Sequence, residues 1–145
     1  MKNMALLIDT NVVLDFVLKR ELFHEASSTV MDLCIKNKVR GYLAAHSLTN
    51  VFYITRKDID LEGRKEIIRI FCKHFRIASI NRVNIMRVLD GANFKDLEDS
   101  LQIECAYAKN VDYIITRDAK GFVDSKIPAI TPEDFLAIWS GQGAC

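Results

Sequence analysis

The sequence predicts an α/β protein: a single domain whose central, mostly parallel sheet is flanked by helices on both faces. Three observations carry that expectation. Short runs that are apolar at every position, such as Met4 to Ile8 and Tyr113 to Ile115, suit strands buried on both sides, as in a parallel sheet. Between them lie segments whose apolar residues recur every three or four positions, the helical period. The two kinds of segment alternate along the chain, which is the pattern of crossover units. The 145 residues suit one domain, assigned to 1–140, with 141–145 as a flexible tail. There is no internal repeat, low-complexity stretch or Pro/Gly-rich linker, and both prolines, Pro128 and Pro132, lie near the end.

Element by element, Met4 to Ile8 is the first strand and Thr10 to Leu18 the first helix. Glu25 to Lys38 is helical through Ala26, Val30, Leu33, Cys34 and Asn37. Tyr42 to Ala45 forms a short strand after Gly41, and Ser47 is placed to cap a helix with Leu48, Val51 and Phe52 on its inner face. Tyr53 in that stripe suits the core better than a base-stacking role. Asp60 to Phe75 repeats the helical period through Ile67, Ile70 and Phe71. Its basic residues Arg64, Lys65, Arg69 and Lys73, with Arg76 beyond, suit either a solvated outer face or a track for a phosphate backbone. Arg76 to Ile80 is a strand, Val83 to Ala92 a helix, and Asp96 to Lys109 a longer helix with Leu97, Leu101, Cys105 and Ala108 on one face. Asp112 to Thr116 is another buried strand. Thr131-Pro132-Glu133-Asp134 then opens the last helix, with a threonine cap, proline at the first position and an acid at the third.

Half the residues are hydrophobic and 27% are charged, the balance of a soluble globular chain. Twenty basic against 19 acidic residues leave a formal charge of +1, which argues against binding nucleic acid through bulk positive charge. Cys34, Cys72, Cys105 and Cys145 are scattered without a Cys-x-x-Cys pair, and His24, His46 and His74 add no zinc-type cluster. Cys34 and Cys105 read as buried thiols. Asp9 ends the first apolar run after five residues, short of the about 7–15 of a signal-peptide core. No stretch reaches the roughly 18–20 apolar residues of a membrane span. A cytoplasmic protein without a membrane partner is expected.

In a parallel sheet the loops leaving the strand carboxyl ends share one edge, where ligands bind. Asp9 follows the first strand and Asp118 lies two residues beyond Thr116. The Asp96 helix runs down into the Asp112 strand, so Asp96, Glu98 and Asp99 return to that same edge. The helix of Ser47 and Asn50 brings its first turn there too. Asp9, Asp99 and Asp118 are therefore candidates for one acidic pocket. Crowded carboxylates repel, so such a pocket calls for a cation, and hard oxygen ligands suit Mg²⁺ or Mn²⁺. Such an ion polarises a phosphoryl oxygen and generates hydroxide from water. Each acid also has an ordinary structural reading. Asp9 and Asp96 suit helix caps, Glu98 a solvated first-turn acid, and Asp118 an Asx-turn. Asp96 and Glu98 are the weaker ligand candidates.

Leu7-Ile8-Asp9-Thr10-Asn11-Val12, Asp96-Leu97-Glu98-Asp99-Ser100-Leu101 and Tyr113-Ile114-Ile115-Thr116-Arg117-Asp118 together resemble the PIN-domain family, which includes the VapC-type toxins of bacterial toxin–antitoxin systems. The likeness runs through Ile130 to Phe135. It implies a metal-dependent endoribonuclease using Mg²⁺ or Mn²⁺, with RNA as substrate, an antitoxin protein as a possible partner, and a homodimer. Asp9, Asp99 and Asp118 match the metal-binding acids. Asn11 and Thr116 match polar positions that orient those acids or the substrate, and Arg117 suits either an adjacent phosphate or an ordinary solvent-exposed loop position equally well. One departure stands out: Asn50 sits where the family commonly has a further acid; like Ser47 in the same helix it suits binding or orienting substrate or metal-bound water, but an amide adds no negative charge.

Two other readings compete. The first is a PIN-like RNA- or protein-binding module whose turnover is weak or lost through Asn50. The second is aspartyl-phosphate chemistry at Asp9. It fits poorly, because a phosphatase of that class needs an acid where Asn11 stands, and a receiver domain needs an aspartate where Asn81 follows Ile80.

Overall fold

Strand β1 (Ala5–Ile8) is apolar at all four positions because it lies at the centre of the sheet, covered on both faces. It pairs in parallel with β2 (Arg40–Ala44) on one side and β4 (Tyr113–Ile115) on the other. Strand β3 (Arg76–Ala78) flanks β2 and β5 (Ala129–Ile130) flanks β4, giving the all-parallel order β3-β2-β1-β4-β5. The computed structural model describes residues 3–92 and 94–142.

Side chains alternate across each strand, so Leu6 and Ile8 enter one core and Ala5 and Leu7 the other. The first core is closed by α1 (Thr10–Val17), α2 (His24–Ile35), α3 (Ala45–Ile54), α4 (Leu61–His74) and α7 (Pro132–Gln142), through Val13, Met31, Val51, Phe71 and Phe135. The second is closed by α6 (Leu97–Lys109) through Cys105 and Ala106, and α5 (Arg82–Leu89) packs against α6. Each fully buried Leu, Ile or Phe in these layers contributes about 1.5–3 kcal/mol. Cys34 and Cys105 are buried as expected, and burial pushes their thiols up to about 12 and about 11.

Several local expectations need correction. Gly41 lies inside β2, paired with Leu6, rather than before it. A methyl group there would sit 2.7 Å from Phe75 and 2.8 Å from Cys34, so glycine lets both side chains close onto the strand. Helix α2 stops at Ile35, ahead of the expected Lys38, and the chain turns at Asn37, whose φ of 59° suits asparagine. Helix α3 begins at Ala45 with no side-chain cap, so Ser47 is an internal, buried helical residue. Tyr53 is exposed, with the Arg56 guanidinium 3.8 Å above its ring, and does not join the core. Thr131 does cap α7, its hydroxyl accepting the Asp134 N–H at 3.1 Å. That helix continues through Gln142, and the rest of the expected tail lies outside the described residues. Among the described residues, no helix is long and apolar enough to cross a membrane.

The strand order has one functional consequence. From β1 the chain builds outward through β2 and β3, then returns to place β4 and β5 on the opposite side. The order thus reverses between β1 and β4, and open α/β sheets bind ligands outside the strand carboxyl ends at such a point.

Candidate active site

Asp9 occupies that reversal point. Its backbone N–H donates to the Ile115 carbonyl at 2.9 Å, tying the end of β1 to the end of β4. Its carboxylate is only 4% exposed and accepts two hydrogen bonds, from the Thr10 N–H at 2.8 Å and the Thr116 hydroxyl at 2.9 Å. Asp9 therefore does cap α1, and the same fixed carboxylate faces the other acids. The Thr116 oxygen also accepts the Asp118 N–H at 3.0 Å, so one buried hydroxyl positions two of the predicted acids.

Asp96 caps α6 by accepting the Asp99 N–H at 2.9 Å. The cap fixes the first turn of α6, which carries Glu98 and Asp99. A methyl group at Gly121 would lie 2.5 Å from Asp99 Oδ2 and 3.8 Å from Asp118 Oδ2, so the turn after β4 brings these two carboxylates against one glycine. Burial pushes the Asp9 carboxyl from 3.8 up to about 6; its two hydrogen bonds oppose this, while the charges of Glu98 and Asp118 add to it. Asp99 also rises to about 6, through burial and then repulsion from Asp9, Asp96, Glu98 and Asp118. The three acids expected to converge are thus brought together.

Glu98 corrects the simple picture of a solvated first-turn acid. Its Oε2 accepts a hydrogen bond from Asn50 Nδ2 at 2.9 Å, and its charge reaches Asp9, Asp99 and His46. His46 occupies the first turn of α3, and neither ring nitrogen has a hydrogen-bond partner among the described residues. Burial lowers its pKa against the opposing pull of Glu98. Ser47 lies deeper, bonded to the Thr10 hydroxyl at 2.8 Å and accepting from Gln102 Nε2 at 2.8 Å. This trio joins the amino-terminal turns of α1 and α3 to α6.

The remaining expected residues lie apart from the carboxylates or are committed elsewhere. Asn11 is exposed in the first turn of α1 and makes none of the hydrogen bonds that hold the centre. Arg117 grips the wholly buried Asp15, with Nε 2.6 Å from Oδ2 and Nη2 3.2 Å from Oδ1, and lies 4.1 Å above the Phe23 ring. Asp15 also meets Arg20 at 3.4 Å. The fork is thus directed to an internal carboxylate and not to an open phosphate position. In α4, Arg64 donates to the Ile59 and Phe52 carbonyls, while Lys65 and Arg69 pair with Glu62 and Glu66. Sequence reasoning missed Gln102, His46 and Asp15. Only Asp15 left a signal, as an acid inside the apolar run Val12 to Val17.

The donor set fits a hydrated divalent cation. Among the described residues, no three His, Cys, Asp or Glu side chains converge tightly enough to grip an ion unaided. Carboxylates that raise one another's pKa are nevertheless short of positive charge, and Mg²⁺ keeps several waters while bound through few carboxylates. A cavity of about 280 Å³ opens beside Asp99, with Phe94, Lys95, Lys120 and Gly121 in its lining.

The parallel α/β sheet gathers at its reversal point the buried Asp9, the half-buried Glu98 and Asp99 and the exposed Asp118, which defines a carboxylate-centred α/β protein. The chain belongs to the PIN domain family, whose model matches residues 5–120. It is 27% identical over 148 residues to ribonuclease VapC1 of Aquifex aeolicus (strain VF5), covering 97% of this chain and 99% of that protein. Its fold is similar to a chain of VapBC2 from Rickettsia felis bound to a promoter DNA fragment, with TM-score 0.63 and 16% identity over 88% of this chain and 97% of the other. A chain of a toxin–antitoxin complex from Klebsiella pneumoniae gives TM-score 0.63 and 20% identity, covering 87% and 96%.

Proposed function

We propose that the protein is a Mg²⁺- or Mn²⁺-dependent endoribonuclease that hydrolyses RNA phosphodiester bonds and acts as the toxin of a toxin–antitoxin pair. The observation that carries this reading is the Asp9 carboxylate, buried between Thr10 and Thr116 and repelled by Glu98 and Asp118. The ribonuclease name of the Aquifex relative and the toxin–antitoxin complexes among the fold neighbours support the activity and the partner.

Asp9, Asp99 and Asp118 would hold the cation, directly or through water. A cation held there would supply the positive charge needed to activate water for attack at phosphorus and to offset charge on the phosphate. Thr116 keeps Asp9 turned into the centre and fixes the backbone of Asp118. Asp96 holds the first turn of α6, and the Thr10–Ser47–Gln102 trio keeps three helices in register. The cavity beside Asp99 receives RNA flanking the scissile bond, with Lys95 and Lys120 meeting phosphates and Phe94 offering a stacking face. The protein works in the cytoplasm, as a homodimer when free of its antitoxin.

The test is incubation of purified protein with a broad RNA panel and Mg²⁺ or Mn²⁺, alongside EDTA controls and Asp9→Asn. Metal-dependent internal cleavage that the substitution abolishes is the expected result. RNA retention without cleavage across the panel would instead make the chain a binding module. Co-purification of a small partner protein encoded beside it tests the toxin assignment.

A further inference from the structure

Asn50 and Glu98 lie 48 positions apart on different helices, yet Asn50 Nδ2 donates to Glu98 Oε2 at 2.9 Å. The bond occupies one oxygen of Glu98 and leaves Oε1 without a hydrogen-bond partner among the described residues. The held carboxylate is close enough to Asp9 and Asp99 for its charge to raise both. A second observation comes from the same face of α6. Gln102, four residues beyond Glu98, is wholly buried, and its amide nitrogen reaches Ser47 of α3 and Thr10 of α1. Its Oε1 has no hydrogen-bond partner among the described residues. A buried acceptor without a donor is costly, and this one lies one helical turn below Glu98, on an amide that also reaches Thr10, the neighbour of Asp9.

We propose that Glu98 is a fourth carboxylate of the divalent-cation centre and that Asn50 is its positioning residue. The proposal rests on the reading of the site as a cation-dependent nuclease. Asn50 then adds no charge itself but holds the charge of Glu98 in place: its amide is a donor, which a carboxylate at position 50 would lack. A carboxylate at that position would also repel Glu98.

The test is Mn²⁺ uptake by the full chain, read from the loss of the free-ion paramagnetic resonance signal. The parent is compared with Glu98→Gln, Asn50→Ala, the double variant and Asp99→Asn, all checked for folding by circular dichroism. Glu98→Gln weakens Mn²⁺ binding at least about tenfold, and Asn50→Ala about tenfold, the scale seen for groups that orient metal ligands. The double variant binds no more weakly than Glu98→Gln alone, because Asn50 has nothing left to position. Glu98→Gln binding within twofold of the parent, while Asp99→Asn loses the ion, overturns the role of Glu98. Losses that multiply in the double variant overturn the positioning role. A parent that takes up no Mn²⁺ overturns the cation reading itself, and this inference with it.

Discussion

Replacing Asp9 with asparagine should remove the cation centre and, in metal-free protein at neutral pH, make the fold more stable. Burial lifts the Asp9 carboxyl from 3.8 to about 6 in the folded protein, against two hydrogen bonds that favour the charged form. The folded state therefore holds this proton more tightly than the unfolded chain. The stabilisation is complete below pH 3.8 and is lost as pH climbs through about 6. At about 1.4 kcal/mol per pH unit, the loss from Asp9 reaches about 3 kcal/mol by pH 7.5. Asp99, more open to solvent, changes in the same direction by less. Asparagine cannot ionise. Its oxygen still accepts the Thr10 N–H, and its amide can donate to the Thr116 oxygen in place of the bond it now accepts. The preference of these two bonds for the charged form is already contained in the net rise. Asp9→Asn should thus be about 3 kcal/mol more stable than the parent at pH 7.5 in EDTA, and no more stable at pH 4. Urea unfolding followed by circular dichroism at both pH values measures this, and adding Mn²⁺ at pH 7.5 should restore the parent alone. A parent whose stability is flat from pH 4 to 7.5, or an Asp9→Asn protein weaker than it at pH 7.5, would refute the argument.

Three further perturbations separate scaffold from site. Arg117→Ala leaves the buried Asp15 with only Arg20 at 3.4 Å and should cost about 3 kcal/mol, the low end for stranding a buried charge. That lowers the melting temperature by roughly 6–12 °C, and Asp15→Asn added to it should recover part of the loss, whereas unchanged melting would return Arg117 to the phosphate-binding set. Gly121→Ala pushes a methyl group to 2.5 Å from Asp99 Oδ2; Mn²⁺ affinity and RNA cleavage should fall at least about tenfold while urea stability changes by less than about 1 kcal/mol. Lys95→Ala and Lys120→Ala should each weaken RNA binding for all sequences and reduce the slope of log affinity against log salt by about 1; slopes equal to the parent's would remove the cavity from the RNA path.

The sheet was legible in sequence where its strands are apolar at every position and lie at its centre. Met4 to Ile8 and Tyr113 to Ile115 cannot be apolar at every position in any other setting as cheaply, and the loops after them delivered Asp9 and Asp118 by topology alone. Strand β5 escaped because two residues, Ala129 and Ile130, have no period to read. Gly41 looked like a boundary because its meaning depends on Phe75 and Cys34, which meet it only in the fold. The same limit governs the site. Carboxylates at strand ends announce themselves, but the hydrogen bond that turns Glu98 inward comes from Asn50, and the one that holds Ser47 comes from Gln102, 55 residues away. The partner of Arg117 was hidden for the same reason: the acid it answers lies 102 residues earlier.

The hydroxyl that holds Asp9 belongs to Thr116, 107 residues later in the chain. At synthesis rates of about 5–20 residues per second, roughly 5–20 s separate the making of the two. Once made, β2 can lie beside β1, but the edge where β4 will pair stays open, and throughout the interval Asp9 lacks Thr116 and the acid of the turn after β4. A chain interrupted there does not carry a weakened centre; it carries none. Whatever chemistry these carboxylates perform is withheld from the growing polypeptide and begins only after β4 and the turn beyond it have been made.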